Sequence, residues 1–214
     1  GMENMDYRFT DPIADPEGDS DQYTTETLVR LPGFLCYGPP VRTPEITPLP
    51  VLTTHVITFG SFNNLTKVTP GVIKVWSQLL HQLPQSRILL KSRQLANEST
   101  RDRYFGLFSQ NGIPKERITM LPRTPSQFAH LELYKHVDIA LDPFPYNGTT
   151  TSCEALWMGV PFIALRGERH VARVGTSILT RVGLTDFIAE SEEDYIAKAI
   201  QLARDINQMK GLRT

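Results

Sequence analysis

The sequence predicts an α/β fold, a Rossmann-like doubly wound parallel sheet, from three observations. From His55 onward, short β-branched or leucine-rich runs alternate with helical stretches at the spacing of βα units. Several of the runs are too continuously apolar to leave one face in water, which implies a parallel sheet covered by helices on both sides. Helix-opening signals recur between them, as Thr69-Pro70, Thr124-Pro125 and Ser191 with Asp194 three residues on.

In chain order, "HVITFGSF" reads as the first strand, and Thr69-Pro70 then supplies the N-cap and first residue of the helix "GVIKVWSQLLHQL". "SRILLKS" is the second strand, and "NESTRDRYFGLFSQNG" a helix closed by Gly112. "ERITML" is the third, followed by "SQFAHLELYKH", which Thr124-Pro125 opens by the same device. "VDIALD" and "PFIAL" are the fourth and fifth strands, with a helix after the threonines between them, and Ser191 with Asp194 caps "EEDYIAKAIQLARDI". No repeat of solenoid period is present.

Half of the 16 prolines fall in residues 1–50, in stretches such as "DPIADPEGDSD" and "YGPPVRTPEITPLP" that cannot sustain a helix. Residues 1–50 therefore read as a connector or strap that packs against something without a fold of its own, and residues 51–214 as the Rossmann-like domain. Only "TTETLVRLPGF" in the strap has apolar content worth burying. The strap carries nine acids and three bases, leaving fourteen acids and nineteen bases in the remainder, a dispersed positive excess that suits a small anion rather than nucleic acid. No run of about 18 apolar residues and no leader is visible, so neither a membrane partner nor secretion is expected. Two cysteines without metal-ligand spacing favour a reducing, cytoplasmic setting, and Gly1 before Met2 reads as a remnant of expression.

Ligands of doubly wound sheets bind beyond the carboxyl ends of the strands, which directs attention to three loops. After the first strand, "GSFNNLTK" brings Lys67 to the start of a helix, where a bound anion would explain a cation; a solvated surface lysine is the other reading. After the fourth, Gly148, Thr149, Thr150 and Thr151 offer backbone N–H groups and hydroxyls to an oxyanion, with Glu154 on the same helical face for ribose hydroxyls. An ordinary capped helix with a glutamate in its first turn fits the same residues. After the third, Thr124 and His130 could frame a base and its ribose, although a lone helical histidine is often structural. His170 and Arg173 could line a sugar or diphosphate pocket, and His136 reads as a cation at a helix end.

Neither the G-x-G-x-x-G nor the Walker lysine pattern is present, which removes the usual support for hydride transfer and ATP hydrolysis. Asp19-Ser20-Asp21 matches the Asp-x-Asp of metal-dependent sugar transfer but sits in a proline-rich connector without flanking strands, so no metal site is expected there. Cys153 reads as a small buried residue, and Trp76 and Trp157 as core.

"FGSFNNLTKVTP", "ITMLPRTPSQFAHLELY", "VDIALDPFPYNGTTTSCEALWMGVP" and "RHVARVGTSILTRVGL" together resemble the carboxyl-terminal half of glycosyltransferase family 41, the O-linked N-acetylglucosamine transferase and SPINDLY family. The resemblance covers about residues 4–214, including "MDYRFTDPIADP" and "LVRLPGFLCY". It implies a GT-B, metal-independent, inverting transferase without cofactor, moving sugar from a nucleotide to Ser or Thr of proteins. On that resemblance Lys67 neutralises the leaving diphosphate, Thr150 and Thr151 bind phosphates, Glu154 the ribose, Thr124 the base through its main chain, and His130 the ribose–phosphate region, while Asn64 faces the donor. The animal members have Gln, His and Asp where Asn64, Thr149 and Glu154 stand, and "FPYNGTTTSCE" is more similar to the SPINDLY and bacterial branch. The donor thus stays open between UDP-N-acetylglucosamine and GDP-fucose. The resemblance also implies that the protein acceptor is held by an amino-terminal lobe and helical repeats outside this sequence, and that the chain alone is inactive. Two other readings stand beside it: a noncatalytic nucleotide-binding or interaction module, and a lobe of another GT-B family with lipid or saccharide acceptors.

Overall fold

The computed structural model describes residue 2 and residues 4–213, so the reading of Gly1 lies outside the described residues. Apolar runs with β-branched residues form the strands β3 (Thr58–Ser61), β4 (Arg87–Lys91), β5 (Ile118–Leu121), β6 (Ile139–Leu141), β7 (Phe162–Leu165) and β8 (Ile188–Ala189). They make one parallel sheet in the order β5-β4-β3-β6-β7-β8. The chain therefore steps outward from β3 to β5, returns to the other side of β3 with β6, and steps outward again, the doubly wound topology. The short β8 is a sixth strand that "DFIA" did not announce.

Helices between strands are α2 (Pro70–Gln82), α3 (Glu98–Gln110), α4 (Gln127–Glu132), α5 (Thr150–Trp157) and α6 (Val174–Arg181), with α7 (Glu192–Arg204) and α8 (Ile206–Leu212) at the end and the single turn α1 (Val51–Thr54) before β3. Contacts place α2 with α3 and α7 in one layer, and α5 with α6 in the other. Thr69 caps α2 through its hydroxyl, which accepts from the Val72 N–H, with Pro70 at the first turn. Ser191 caps α7 in the same way, while Asp194 reaches back to the Glu190 N–H. At α4 the cap is Ser126, whose hydroxyl accepts from the Ala129 N–H at 3.1 Å. Thr124 is not the cap: its hydroxyl donates to the Ser126 carbonyl, because Pro125 holds the chain extended for one residue more than the Thr-Pro pattern suggested.

Trp76 of α2 and Tyr195 of α7 are fully buried under the sheet, where the indole N–H donates to the Tyr195 hydroxyl. That hydroxyl in turn donates to the Asp142 carbonyl at 3.0 Å, so a core contact reaches the carboxyl end of β6. Trp157, by contrast, is 45% exposed and pairs with the Tyr37 ring rather than joining the core. Its position at the last turn of α5 turns it away from the sheet.

Residues 1–50 contain more regular structure than their prolines suggest, since β1 (Tyr7–Thr10) pairs in parallel with β2 (Thr27–Arg30). Little of that pair is apolar and buried, and it is held to the lobe by polar contacts. Asp11 accepts from the Ser177 hydroxyl of α6 and, at 2.8 Å, from the N–H groups of Ile13 and Ala14. At the far end of the strap, the Arg213 guanidinium donates to the carbonyls of Thr47, Tyr134 and Val137, tying the carboxyl-terminal helix to the strap and to the start of β6.

Gly60 of β3 sits where the helical connection into β6 presses on the sheet, and a Cβ there would lie 2.6 Å from Val137 Cγ2. Gly60→Ala is expected to cost about 1–3 kcal/mol by overpacking, read as a lowered urea midpoint, whereas an unchanged midpoint would mean that this contact relaxes freely.

Candidate functional site

The strand order reverses between β3 and β6, which opens a crevice at their carboxyl ends. From β3 the chain passes Asn63 and Asn64 into a 3-10 turn, Leu65–Lys67. The Tyr104 hydroxyl of α3 anchors this turn against the carbonyls of Leu65 and Val68 at 2.9 and 3.1 Å. Asn64 is occupied locally, because its side-chain oxygen accepts from the Thr66 N–H and hydroxyl and from Gln94 Nε2. Lys67 spans the crevice: its ammonium donates to the Asn147 carbonyl at 2.7 Å and lies 4.0 Å from the centre of the Tyr146 ring. Burial lowers the Lys67 pKa from its ordinary value, and the nearby Asp142 charge opposes that shift.

On the β6 side, Asp142 organises the loop that leads into α5. Its Oδ1 accepts from the Gly148 N–H at 2.7 Å and from the Ser152 hydroxyl at 3.2 Å. The fully buried Asn147 bridges the Pro143 carbonyl and the Gly175 N–H. Only glycine fits at 148, since a Cβ would collide with Ser152 Oγ and come within 2.7 Å of Asp142 Oδ1 and 2.9 Å of Asn63 Oδ1. Thr151 closes the crevice by donating its hydroxyl to Asn63 Oδ1 at 3.0 Å. Thr149 takes the N-cap position of α5 without a side-chain cap bond, and Thr150 is exposed on the rim. The N–H groups of the first turn of α5 have no intrahelical acceptors, so a cation and a set of free donors converge on one side of the sheet.

Deeper on the same rim, His130 of α4 joins three elements. Its Nε2 meets Glu154 Oε2 of α5 at 2.9 Å, and its Nδ1 meets the Lys91 ammonium at the end of β4 at 2.7 Å. The ring packs against Phe62 and Tyr134, and the Tyr134 hydroxyl donates to the Thr151 carbonyl. Burial raises the Tyr134 pKa well above its ordinary value, keeping it a neutral donor. Cys153 is half-buried with its thiol pushed up by burial, as a small packing residue would be.

Of the residues singled out in the sequence, Lys67 and Thr151 each bond across the crevice, Lys67 to the Asn147 carbonyl and Thr151 to Asn63, and His130 meets Glu154. Thr124 makes only its local bond. His170 and Arg173 are held by the acidic strap: His170 Nδ1 lies 2.7 Å from Asp15 Oδ2, and Arg173 Nη1 lies 2.8 Å from Asp19 Oδ2. Burial pushes the Asp15 carboxyl up, but the bonds from Thr10, Ser20 and His170 outweigh it and lower the pKa. Asp19 and Asp21 pair separately with Arg173 and Arg30, and no group of three His, Cys, Asp or Glu that could hold a metal occurs among the described residues. His136 ends the short helical turn Leu133–His136, where burial and then Lys135 and Arg87 lower its pKa from the ordinary value. Sequence reasoning missed Lys91, Asn63, Asp142 and Asn147. Lys91 left one signal, a lysine ending an otherwise apolar buried strand.

The model of the family "Glycosyl transferase family 41" matches residues 49–214. A tomato (Solanum lycopersicum) relative, "Probable UDP-N-acetylglucosamine--peptide N-acetylglucosaminyltransferase SPINDLY", is 43% identical over the whole of this chain, which covers 23% of it. An Arabidopsis thaliana protein of the same name is 42% identical with the same coverage. The chain thus spans about a quarter of the length of these curated relatives. Among solved structures, a mutant of Thermobaculum terrenum O-GlcNAc transferase superposes with a TM-score of 0.89 at 35% identity, over 97% of this chain and 39% of that one. The sheet described above is accordingly a lobe of the GT-B glycosyltransferase fold.

The Asp142 carboxyl, ordinarily near 3.8, is pushed up to about 7 by complete burial, against the opposing Gly148 and Ser152 bonds and the Lys67 charge. Between those two values the folded chain keeps a proton that the unfolded chain releases. Stability from this group is therefore full below pH 3.8 and lost as pH rises through about 7. The slope is at most about 1.4 kcal/mol per pH unit. Urea unfolding at several pH values should show wild-type stability falling from pH 5 to pH 7 relative to Asp142→Asn; parallel curves would contradict the assignment.

Proposed function

Because the chain belongs to glycosyltransferase family 41, we propose that it forms the donor-nucleotide lobe of a protein O-glycosyltransferase and that a nucleoside diphosphate sugar binds in the crevice between β3 and β6. The observation that carries this reading is the 2.7 Å bond from Lys67 to the Asn147 carbonyl, which fixes a cation beside the start of α5. A lysine and free helix-end N–H groups are what a departing diphosphate needs, because its charge grows as the bond to the sugar breaks and fixed donors need no reorganisation to meet it. Thr150 and Thr151 then bind phosphate oxygens, Glu154 the ribose, His130 the ribose–phosphate region and Thr124 the base through its main chain. Lys67 supplies the stabilising charge itself, so the transfer runs without a resident metal or other cofactor.

The reaction in this reading is attack of a Ser or Thr hydroxyl of a protein on the anomeric carbon, with inversion and departure of the nucleoside diphosphate. The names of the relatives favour UDP-N-acetylglucosamine as donor, with GDP-fucose as the competing sugar nucleotide. The acceptor is engaged by the parts of the relatives that this chain does not span, so the chain alone does not turn over. The free thiols of Cys36 and Cys153 suit a reducing, cytoplasmic setting. In the same reading His170 and Arg173, bonded to Asp15 and Asp19 of the strap, line the sugar or diphosphate pocket.

Calorimetry with UDP, GDP and their sugar conjugates tests the site. Binding of one of them is expected, and the preferred base identifies the donor; no heat and no thermal shift at millimolar nucleotide would leave a noncatalytic module. Lys67→Ala should weaken the diphosphate by about tenfold or more while leaving the nucleoside nearly unchanged. Equal losses for both would refute the role of Lys67. Sugar transfer by the full-length protein to peptides, rather than to lipids or saccharides, separates this reading from another GT-B family.

A further inference from the structure

Lys91 is only 9% exposed and follows Ile88, Leu89 and Leu90 in a strand flanked by β3 and β5. A lysine so placed needs a counter-charge or strong acceptors, because an ammonium out of water without them is very costly. Among the described residues, no carboxylate pairs with it. Its Nζ instead points at a ring nitrogen, His130 Nδ1, at 2.7 Å, and Glu154 lies on the far side of that ring. An ammonium carries three donors and no acceptor, so the Nδ1 it meets must present a lone pair. The single proton of the neutral imidazole is then on Nε2, which is the atom 2.9 Å from Glu154 Oε2. Phe62 and Tyr134 pack on the ring at 5.7 and 5.8 Å between centroids, and turning it over would break both polar contacts at once.

We propose that Lys91 is a positioning residue: it fixes His130 as the neutral, Nε2-protonated tautomer, and through that ring holds the Glu154 carboxylate in place in the first turns of α5. The other charged or titratable groups that act on this chain are Arg123, which repels Lys91, and Tyr37, Cys153 and Tyr134, whose ionisation Glu154 opposes. Burial lowers the Lys91 pKa and the Glu154 charge works against that shift, which favours keeping the ammonium. The line of Lys91, His130 and Glu154 thus has one positive end, one neutral link and one negative end. It ties the end of β4 to α4 and α5, on the same rim as Lys67. Its consequence for ligand binding rests on the donor-site reading above; the tautomer does not.

The test is long-range proton–nitrogen NMR of histidine-labelled protein without ligand, with the His130 signals assigned by their loss in His130→Gln. The wild type should show a bare Nδ1 and a protonated Nε2. Lys91→Arg, which keeps a donor, should retain that pattern, and Lys91→Met should lose it to a mixture of tautomers or to the doubly protonated ring. An Nδ1-protonated wild-type ring, or an unchanged pattern in Lys91→Met, overturns the proposal; if Lys91→Met does not fold, the wild-type and Lys91→Arg spectra still decide it. In calorimetry with UDP, Lys91→Met should lose about tenfold in affinity and Lys91→Arg less than threefold. A wild type with the expected tautomer and no affinity for UDP or GDP would sink the donor-site reading alone, whereas UDP binding unaltered by Lys91→Met would overturn the positioning role.

Discussion

The reversal of strand order between β3 and β6 is the constraint on which the rest of this structure depends. Two strands that diverge in their onward connections leave a gap at their carboxyl ends, and the loops after them must face each other across it. The two bonds that cross the crevice follow from that arrangement. Lys67 reaches Asn147 and Thr151 reaches Asn63 because β3 and β6 are neighbours although about 80 residues separate them, while Asp142 holds Gly148 and Ser152 within the loop after β6. The core supports the same point from below, through Trp76, Tyr195 and the Asp142 carbonyl.

Charge is distributed in a way that fits this arrangement. The strap is acidic; its carboxylates pair with Arg173 of the lobe and with the strap's own Arg30, and Asp15 bonds the His170 ring. Among the described residues, Lys67 and Lys91 on the crevice side have no such ion pairs. Each is half-buried or more and bonded to a neutral group, a carbonyl in one case and an imidazole in the other. Asp142, whose charge acts on Lys67, is itself buried so deeply that its charge is disfavoured. Below about pH 7 it therefore offsets the Lys67 charge only in part.

Much of the fold was legible because its signals are local. Thr69 with Pro70, Ser191 with Asp194, and the apolar runs of β3 to β7 each depend on residues within a turn or two. Where the sequence misled, a longer-range or competing effect decided. Pro125 displaced the α4 cap from Thr124 to Ser126, and the position of Trp157 in the last turn of α5 set it outside the core. β8 is too short to announce itself, and β1 pairs with β2 across a proline-rich loop that composition alone assigns to a connector. At the site, Lys67, Thr151, His130 and Glu154 were visible because helix starts and strand ends mark them. Asn63, Asn147 and Lys91 were not, since what singles each of them out is a partner far away in the chain, and Asp142 was not, since what singles it out is its burial. The same blindness hid the engagement of Asn64 by Gln94 and of His170 by Asp15.

A crystal structure of the chain with UDP or GDP measures the central claim most directly. The diphosphate is expected beside the Lys67 ammonium and against the N–H groups that open α5, with the base toward the loop after β5. Nucleotide bound elsewhere, such as along the strap or below the sheet, or a diphosphate out of reach of Lys67, would contradict it.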